Sequence, residues 1–575
     1  MSKQIYTLLF LLIGLLQVIN SKIIPTNNLH DALSQAEPGD TIEIKSGIYR
    51  DHPYHLKNGT FGKPIKIKAA PNAGVYFKGT PSQCIFEADF VFFVIIEGPM
   101  VLSDALCGFK LSNSGGFNIT DVSIYNMRQQ AISITNGLMF NITQNIIQGC
   151  VLENKETAKR KTNGNYKCVE INFGWFIIMY RNNISYSYGE SVYFSKCFAC
   201  AIIKNEITNG NFANINIDSS KDIVIYLNLL RVNSTEYNNK YGKACGIAIS
   251  SENYNPFLDD GEKKITKGIN ITSNIFIGTR IGIYYFTESN EGTYCEVRIL
   301  FNTLWNIEKA PIFFKGPKND SPYGCEMKNN FIYYDGAGEF EPKSAWKIVS
   351  NYYYNTPTVP SIYYDENSKA EKNVPLETIF NQIKGCEDYY DQNLNPECLR
   401  PSKTPGKLKL YHSGIPILSI TMEPFLDFDL CNRSLFTPSV GAFEYPEGCS
   451  DNIEPTDIPQ ENYDVRFNIT HCTSLGEMKI YGSYCNWDYK KSITMIEDEH
   501  CKWSAIFKDG SSLNFIYKFI ENKNNEIYLE GDPYRIFDGE MLAKFAKSNA
   551  NGKFGDCDYF TSGNLITLVC SWQYN

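Results

Sequence analysis

The sequence predicts an all-β protein whose main body is a single-stranded right-handed parallel β-helix, followed by a small β-rich, disulfide-containing C-terminal domain. Three observations lead to this fold class. A short apolar motif with a central asparagine recurs about every 23 residues, a second short strand follows most copies of it, and one pair of cysteines is spaced to join successive turns. Internal repeats of this length are typical of solenoids.

The repeated motif is an apolar residue, two further residues, asparagine, one residue and another apolar residue. Its asparagines are Asn145, Asn182, Asn205, Asn228, Asn274, Asn302 and Asn330. Successive members are 37, 23, 23, 46, 28 and 28 residues apart, so the period is 23, one step covers two periods, and we expect insertions in the steps of 28 and 37. Val122 takes the same place one repeat upstream. Asparagine in a turn adopts the left-handed conformation and bonds its neighbours, so we assign this ladder a structural role.

The second strand alternates apolar and outward residues, as in VEINF (169–173), VYF (192–194) and INI (215–217). Such strands cannot bury their inner face alone. Stacking them about 4.8 Å apart buries it, with several short strands in each turn. A leucine-rich repeat has a similar period but needs a leucine scaffold that this chain lacks.

Cysteine usage indicates an oxidising compartment, because 18 cysteines all lie after the N-terminal apolar segment. Cys84 and Cys107 lie one repeat apart, and Cys150 and Cys168 bracket a polar insertion. The predicted disulfide bonds are Cys84–Cys107, Cys150–Cys168, Cys386–Cys398 and Cys431–Cys449. Cys197 and Cys200 form an isolated CxxC, which favours a disulfide or a structural pair over a zinc or redox site. We predict no metal-binding residues from cysteine and histidine spacing.

The first 21 residues resemble a cleaved signal peptide, with Lys3 before an apolar stretch and Ser21 at the cleavage point. We therefore expect a secreted, extracellular protein with no membrane span after cleavage. The net charge of −9 and the lack of a basic run argue against a nucleic-acid partner. We expect a monomer.

Nine N-x-S/T sequons fit a glycoprotein. Proline follows the sequon of Asn319 and disfavours its use. The predicted glycosylation sites are Asn58, Asn118, Asn141, Asn183, Asn233, Asn270, Asn432 and Asn468.

The chain divides into four parts by composition and period. Residues 1–21 form the signal peptide and 22–446 the β-helix with an N-terminal and a C-terminal cap. The polar, proline-containing stretch 447–464 is a predicted linker, and 465–575 a small cysteine-containing β-rich module.

Two segments carry a family resemblance. The phrases AEPGDTIEI, GIY, NGT and KPIKIKA (36–69) resemble the opening of polysaccharide lyases of the chondroitinase B and alginate lyase type. The ending FLDFDLCNRSLFTPSVGAFEY (425–445) resembles that of the wider right-handed β-helix, or pectin-lyase-like, superfamily. The resemblance implies an N-terminal cap whose helix covers residues 28–36, an extracellular polysaccharide as partner, and calcium as a candidate cofactor.

The catalytic motifs of those families are missing. The chain has no RHG, no RxPxxR and no polygalacturonase set of NTD, DD, GHG and RIK, and no histidine lies between His55 and His412. Whether the protein is an enzyme therefore stays open. The leading hypothesis is a secreted protein that binds and cleaves a polysaccharide as a lyase or glycosidase. The alternative is a non-catalytic matrix, surface or adhesin-type β-helix protein.

The outward residues of the second strands form columns when the coils stack. The first column is Ser133, Glu170, Tyr193, Asn216, Ala248, Tyr284 and Phe313, and the second is Thr135, Asn172, Ser195, Asp218, Ser250, Phe286 and Lys315. Aromatic rings stack on pyranose faces while amides and acids bind hydroxyls. The predicted substrate-binding residues are Asn172, Tyr193, Asn216 and Tyr284. The other interpretation is a solvated sheet face on which β-propensity favours tyrosine.

Glu170 and Asp218 are the only acids in these columns and are the predicted catalytic pair. Two coils and one pleat separate them, so their Cβ atoms should lie ~12 Å apart. Side chains that lean together could approach the ~6.5–9.5 Å of an inverting glycosidase, in which one carboxyl protonates the leaving oxygen and the other activates water.

Overall fold

The computed structural model describes two parts of the chain. In the first part it describes residues 22–157, 167–232, 244–252, 264–287, 292–314, 322–334, 339–340, 346–354, 369–371, 379–380, 394–401 and 440–443. In the C-terminal part it describes residues 464–470, 476–482, 493–499, 502–507, 514–523, 526–529, 535–538, 551–554, 557–562 and 565–571. The predicted signal peptide and most of the predicted linker lie outside these ranges.

A short helix, Leu29–Gln35, stands at the N-terminal end of the β-helix, as the resemblance implied. The Asn28 side chain caps it by accepting a hydrogen bond from the Asp31 backbone nitrogen at 3.2 Å. Its apolar side is buried against the first coils, where Leu33 joins the main core. The helix contacts the strands Ile23–Thr26 and Thr41–Ile44 and so covers inner-facing side chains that no further coil would bury.

Parallel strands stack into a right-handed β-helix with three faces, which we name A, B and C. Face A contains Tyr54–His55, Cys84–Asp89, Cys107–Ser112, Val192–Ser195, Ala213–Asp218, Cys245–Ser250, Ile281–Phe286, Ala310–Phe314 and Glu339–Phe340. Face B contains Ile23–Thr26, Thr41–Ile44, Ile65–Ala69, Ala201–Ile203, Lys221–Tyr226, Lys264–Thr272, Gly292–Cys295, Arg298–Leu300, Cys325–Lys328 and Trp346–Val349. Face C contains Gly47–Tyr49, Val75–Lys78, Ile146–Gln148, Asn183–Ser185, Glu206–Thr208, Leu229–Arg231, Ile275–Ile277, Thr303–Ile307, Phe331–Tyr334, Tyr352–Tyr354 and Lys369–Glu371.

Four long strands turn a corner and contribute to two faces each. Phe92–Ser103 and Gly115–Tyr125 run from face B to face C, while Ile132–Thr143 and Val169–Tyr180 run from face A to face B. A further helix, Leu152–Thr157, follows Ile146–Gln148, and a 3-10 helix covers Pro396–Leu399.

The core lies inside the coil because inward residues of successive strands stack in register. On face A, Val192 pairs with Ile215 and Ile215 with Ile247, and all three side chains are buried. Aromatic rings stack in the same way, as in Phe117 and Phe140, whose ring centroids are 5.0 Å apart. The 23-residue period thus buries one side of every strand.

The asparagine ladder is confirmed and lies at the turn between faces B and C. The amide Nδ2 of Asn205 donates to Oδ1 of Asn228 at 3.0 Å, and the backbone nitrogen of Asn205 donates to the same oxygen at 2.9 Å. The same contacts link all seven predicted asparagines, and Asn351 adds an eighth member that the sequence pattern missed. The backbone nitrogen of Val122 donates a hydrogen bond to Oδ1 of Asn145 at 3.0 Å.

The structure contains two of the predicted disulfide bonds. Cys84–Cys107 joins neighbouring coils of face A with the Cα atoms 4.4 Å apart, and Cys150–Cys168 spans 5.4 Å between Cα atoms. Cys398 is also disulfide-bonded. The other predicted cysteines, Cys386, Cys431 and Cys449, lie outside the described residues.

Cys197 and Cys200 are free thiols rather than a disulfide, so the structural-pair interpretation is the correct one. Both side chains point into the core, where the Cys200 sulfur accepts a hydrogen bond from the backbone nitrogen of Ile177 at 3.4 Å. Burial raises the pKa of the Cys197 thiol well above its usual value, which makes the thiol unreactive.

The C-terminal part is β-rich, as predicted. A six-stranded sheet contains, in spatial order, Ile496–Glu499, Lys502–Phe507, Asp464–Thr470, Leu565–Ser571, Cys557–Ser562 and Asn551–Phe554. A second sheet of five strands contains Ile493–Thr494, Gly476–Gly482, Asn514–Lys523, Glu526–Leu529 and Arg535–Asp538. Most neighbours are antiparallel, in contrast to the β-helix.

Candidate functional site

The outward columns of face A have the register that the sequence predicted. Glu170 pairs with Tyr193, Tyr193 with Asn216, and the column continues through Ala248 to Tyr284. In the second column Asn172 pairs with Ser195, Ser195 with Asp218 and Asp218 with Ser250. Lys315 lies outside the described residues. The strand register therefore brings the predicted acids, amides and tyrosines onto one face.

Glu170 is half-buried and held by two amides. Gln130 Nε2 donates to its Oε2 at 2.7 Å, and Asn172 Nδ2 donates to its Oε1 at 3.1 Å. Gln130 belongs to the coil below, so the carboxylate is oriented from two coils. Glu170 and Asn172 are both partly exposed.

Asp218 is buried and surrounded by donors. Its Oδ2 accepts from the Tyr193 hydroxyl at 3.1 Å and from Ser195 Oγ at 3.2 Å. Its Oδ1 accepts from Ser219 Oγ and from the backbone nitrogen of Glu252, both at 2.9 Å. With 1% of its surface exposed, this carboxylate contacts protein groups rather than solvent.

Tyr193 stands between the two predicted acids, because it is paired with Glu170 and hydrogen-bonded to Asp218. Burial raises the pKa of its phenol, and the Asp218 carboxylate raises it further. The phenol is therefore a neutral donor at physiological pH, and its ring is only partly exposed beside Glu170.

An ion pair that the sequence reasoning missed completes this part of the face. Lys167 Nζ lies 2.9 Å from Oε2 of Glu190 and 5.1 Å from the centroid of the Tyr193 ring. Asn216 Nδ2 donates to the other oxygen of Glu190 at 2.9 Å. Lys167 and Glu190 are 23 residues apart, which is one period, and that spacing was the available signal.

Higher on face A the exposed residues are aromatic. Tyr284 stacks on Phe286 with ring centroids 5.4 Å apart and contacts Phe313 at 5.6 Å. Phe212, which precedes the strand Ala213–Asp218, meets Phe286 edge-on at 5.4 Å. Lys309 Nζ lies 5.8 Å from the centroid of Phe313. The face thus offers a polar half and an aromatic half side by side.

The carboxylates of Glu170, Glu190 and Asp218 do not fit a calcium ion. Each of the three is engaged by amide, hydroxyl, backbone or lysine donors, whereas calcium requires six to eight converging oxygen ligands. Among the described residues, no three His, Cys, Asp or Glu side chains are grouped so as to hold a metal ion.

The sequons differ in exposure. Asn58 and Asn183 are exposed, whereas Asn118, Asn141, Asn270 and Asn468 are partly buried within strands. Asn233 and Asn432 lie outside the described residues. Asn118 and Asn141 stack on each other on face B.

Several solved structures are similar to this chain. Pectate lyase Pel9A is 14% identical over 74% of this chain and 97% of its own, with a TM-score of 0.41. PfbA, a surface adhesin of Streptococcus pneumoniae, is 13% identical over 60% of this chain and 84% of its own, with a TM-score of 0.42. An exopolygalacturonase from Thermotoga maritima is 12% identical over 58% and 91%, with a TM-score of 0.40.

The likeness is one of fold alone. At these identities and TM-scores it carries no argument about ligand or activity. No protein-family model and no curated protein sequence matches the chain. Within the described residues, no helix has the length and apolar character needed to cross a membrane.

Proposed function

We propose that this chain is a secreted, monomeric glycoprotein that binds an extracellular polysaccharide on face A. The observation that carries the proposal is the placement of the partly exposed Tyr193 ring beside the partly exposed Glu170 and Asn172. A ring that stacks on a pyranose and neighbouring oxygens and amides that bind its hydroxyls are the two requirements of a sugar subsite.

The aromatic half of the face extends this site. Tyr284 and Phe313 lie on the same column as Glu170 and Tyr193, so a linear glycan along the helix axis would meet both halves. Tyr284 keeps its ring partly exposed because Phe286 and Phe313 support it from the side. Asn216 is buried and positions Glu190, which makes it a supporting residue in this proposal.

Cleavage is the second part of the hypothesis, with Glu170 and Asp218 as the acid and base. Glu170 is accessible to a substrate. Asp218 is buried and fully engaged, and this observation favours the non-catalytic, adhesin-type alternative over an enzyme. An active pair would require Asp218 to exchange its donors for water or substrate.

The test is a binding and activity screen of the secreted protein against a broad panel of polysaccharides, with and without calcium. The variants are Glu170→Gln, Asp218→Asn, their double variant, and Tyr284→Ala. Matched controls are Glu206→Gln and Tyr76→Ala, which alter an exposed acid and an exposed tyrosine on face C.

The proposed site is supported if Glu170→Gln or Tyr284→Ala weakens polysaccharide binding and the two face C control variants leave it unchanged. Cleavage would release new reducing ends or produce unsaturated uronate absorbance. If Glu170→Gln and Asp218→Asn each abolished that signal, the protein would be established as an enzyme. Equal binding by all variants would place the site elsewhere, and no binding across the panel would contradict the proposed function.

A further inference from the structure

Three phenylalanines form a partly exposed apolar cluster near the N-terminal cap, which we name the Phe cluster: Phe61, Phe92 and Phe93. Phe61 is 70% exposed, Phe92 is 36% exposed and Phe93 is partly buried. The edge of Phe61 meets Phe93 with ring centroids 6.0 Å apart, and Phe92 lies 6.4 Å from Phe93. Contiguous exposed apolar surface of this kind marks a contact site, because leaving it in water is unfavourable.

The Phe93 ring packs on the neighbouring coil. It lies over Gly116, where an added Cβ would stand 2.7 Å from the ring carbon Cδ1 of Phe93. Phe93 has a positive φ of 59° and stands at the corner between faces A and B. The cluster is therefore anchored at this corner through Phe93, beside the exposed ring of Phe61.

Asn58 stands directly beside this cluster and begins the sequon Asn58-Gly59-Thr60. Its Oδ1 accepts a hydrogen bond from the backbone nitrogen of Phe92 at 2.7 Å. The next residue, Gly59, donates its backbone N–H to the Phe92 carbonyl at 2.9 Å. The sequon and the Phe cluster are thus fixed to each other by two hydrogen bonds.

The glycine in the sequon permits this approach. A Cβ at Gly59 would stand 2.4 Å from the Phe93 carbonyl oxygen and 2.7 Å from the Ile65 nitrogen. Because Oδ1 of Asn58 is held against Phe92, Nδ2 is the free end of the amide, and among the described residues it donates no hydrogen bond. Asn58 is itself exposed, so Nδ2 is available as the atom that receives a glycan.

We propose that an N-linked glycan on Asn58 covers the Phe cluster, with its first N-acetylglucosamine residues packed on the exposed rings. The C–H groups of a sugar face carry a small positive charge and the aromatic face a negative one, so the two surfaces attract each other while water is excluded. The cluster then needs no protein partner. The proposal rests on the secretion included in the proposed function.

Asn183 provides the matched control. It is also exposed, but its neighbours on face C are Ile146 and Glu206 instead of aromatic rings. A glycan there would have no cluster of phenylalanine rings beside it. The comparison of the two sites separates a general effect of glycosylation from the specific effect at the Phe cluster.

The experiment uses the full chain secreted from a eukaryotic host, with site occupancy measured by glycopeptide mass spectrometry. Thr60→Ala removes the sequon but keeps the Asn58 side chain and its bond to Phe92, and Ser185→Ala removes the Asn183 sequon as control. We expect Thr60→Ala to lower Tm by about 1–3 °C and to raise the binding of an apolar dye. Ser185→Ala should change neither.

A second variant makes the test specific. Phe61→Ala should change Tm more in the glycosylated protein than in the Thr60→Ala background, because only the glycosylated protein has a sugar–ring contact to lose. An unoccupied Asn58 in secreted protein, or equal effects of Phe61→Ala in both backgrounds, would overturn the proposal. A concentration-dependent dimer of the glycosylated protein that Phe61→Ala dissolves would overturn it too, since a second copy would then cover the cluster. Failure to be secreted would instead contradict the proposed function.

Discussion

The Tyr193 hydroxyl donates a 3.1 Å hydrogen bond to Asp218 on the neighbouring coil, and this bond crosses from one outward column of face A to the next. It fixes the only aromatic ring that stands next to Glu170 in the first column. Asp218 thereby acts on the candidate site through Tyr193, as a positioning residue that the solvent does not reach.

Replacing Asp218 by alanine should destabilise the β-helix by about 2–4 kcal/mol, because its four donors would be left buried without an acceptor. Asp218→Asn should cost less, since a neutral amide oxygen still accepts from some of them. Urea unfolding followed by tryptophan fluorescence measures both. Asp89→Ala, on the same column but exposed, should stay within about 0.5 kcal/mol of the wild type.

In the Tyr193→Phe variant, stability should fall less than in the wild type as the pH rises into the alkaline range. The pKa of Tyr193 is raised in the folded protein, so its contribution to stability is present below the unfolded pKa of about 10 and is lost as the pH rises through the folded value. Tm measured from pH 8 to pH 11 should fall less steeply in the variant than in the wild type. Identical slopes would show that the phenol is not protected by Asp218 and burial.

Asn228→Ala should destabilise the β-helix by about 2–4 kcal/mol, because the Asn205 backbone nitrogen and amide would both lose their acceptor inside the fold. The control is Asn136→Ala, which removes an exposed amide that donates to Asn113 at 2.9 Å. Chemical unfolding midpoints compare the two. A similar, small effect at both positions would contradict a structural role for the buried ladder.

Removing the Cys84–Cys107 bond with a double alanine variant should cost about 3 kcal/mol, since the bond closes a loop of one 23-residue coil in the unfolded chain. Limited proteolysis should then cut the N-terminal coils first. The double variant of Cys197 and Cys200, whose thiols are free, should lose as much stability to reducing agent as the wild type does, because it keeps the disulfide bonds. If reducing agent lowered the stability of the Cys84–Cys107 variant by as much as that of the wild type, this prediction would be contradicted.

The period of the chain was sufficient to predict the architecture. The ladder from Asn145 to Asn330 and the register of the two outward columns follow from spacing, because a solenoid places residues one period apart in contact. The helix predicted over 28–36 came from the family resemblance instead. Asn351 escaped the pattern, since it lies 21 residues after Asn330 and Tyr353 takes the place of the apolar residue that should follow it.

The details of the site depended on contacts that the period does not encode. Glu170 and Asp218 have the same residue chemistry and similar places in the sequence pattern, yet one is accessible and the other is buried beneath Ser219 and the Glu252 backbone. Lys167 and Glu190 lie one 23-residue period apart on adjacent coils, but the period alone does not show that their side chains form an ion pair. Sequence spacing determined which residues share a face of this protein. Only the tertiary structure decided which of them reach solvent, because exposure depends on the side-chain and backbone donors that neighbouring coils and turns bring to each residue.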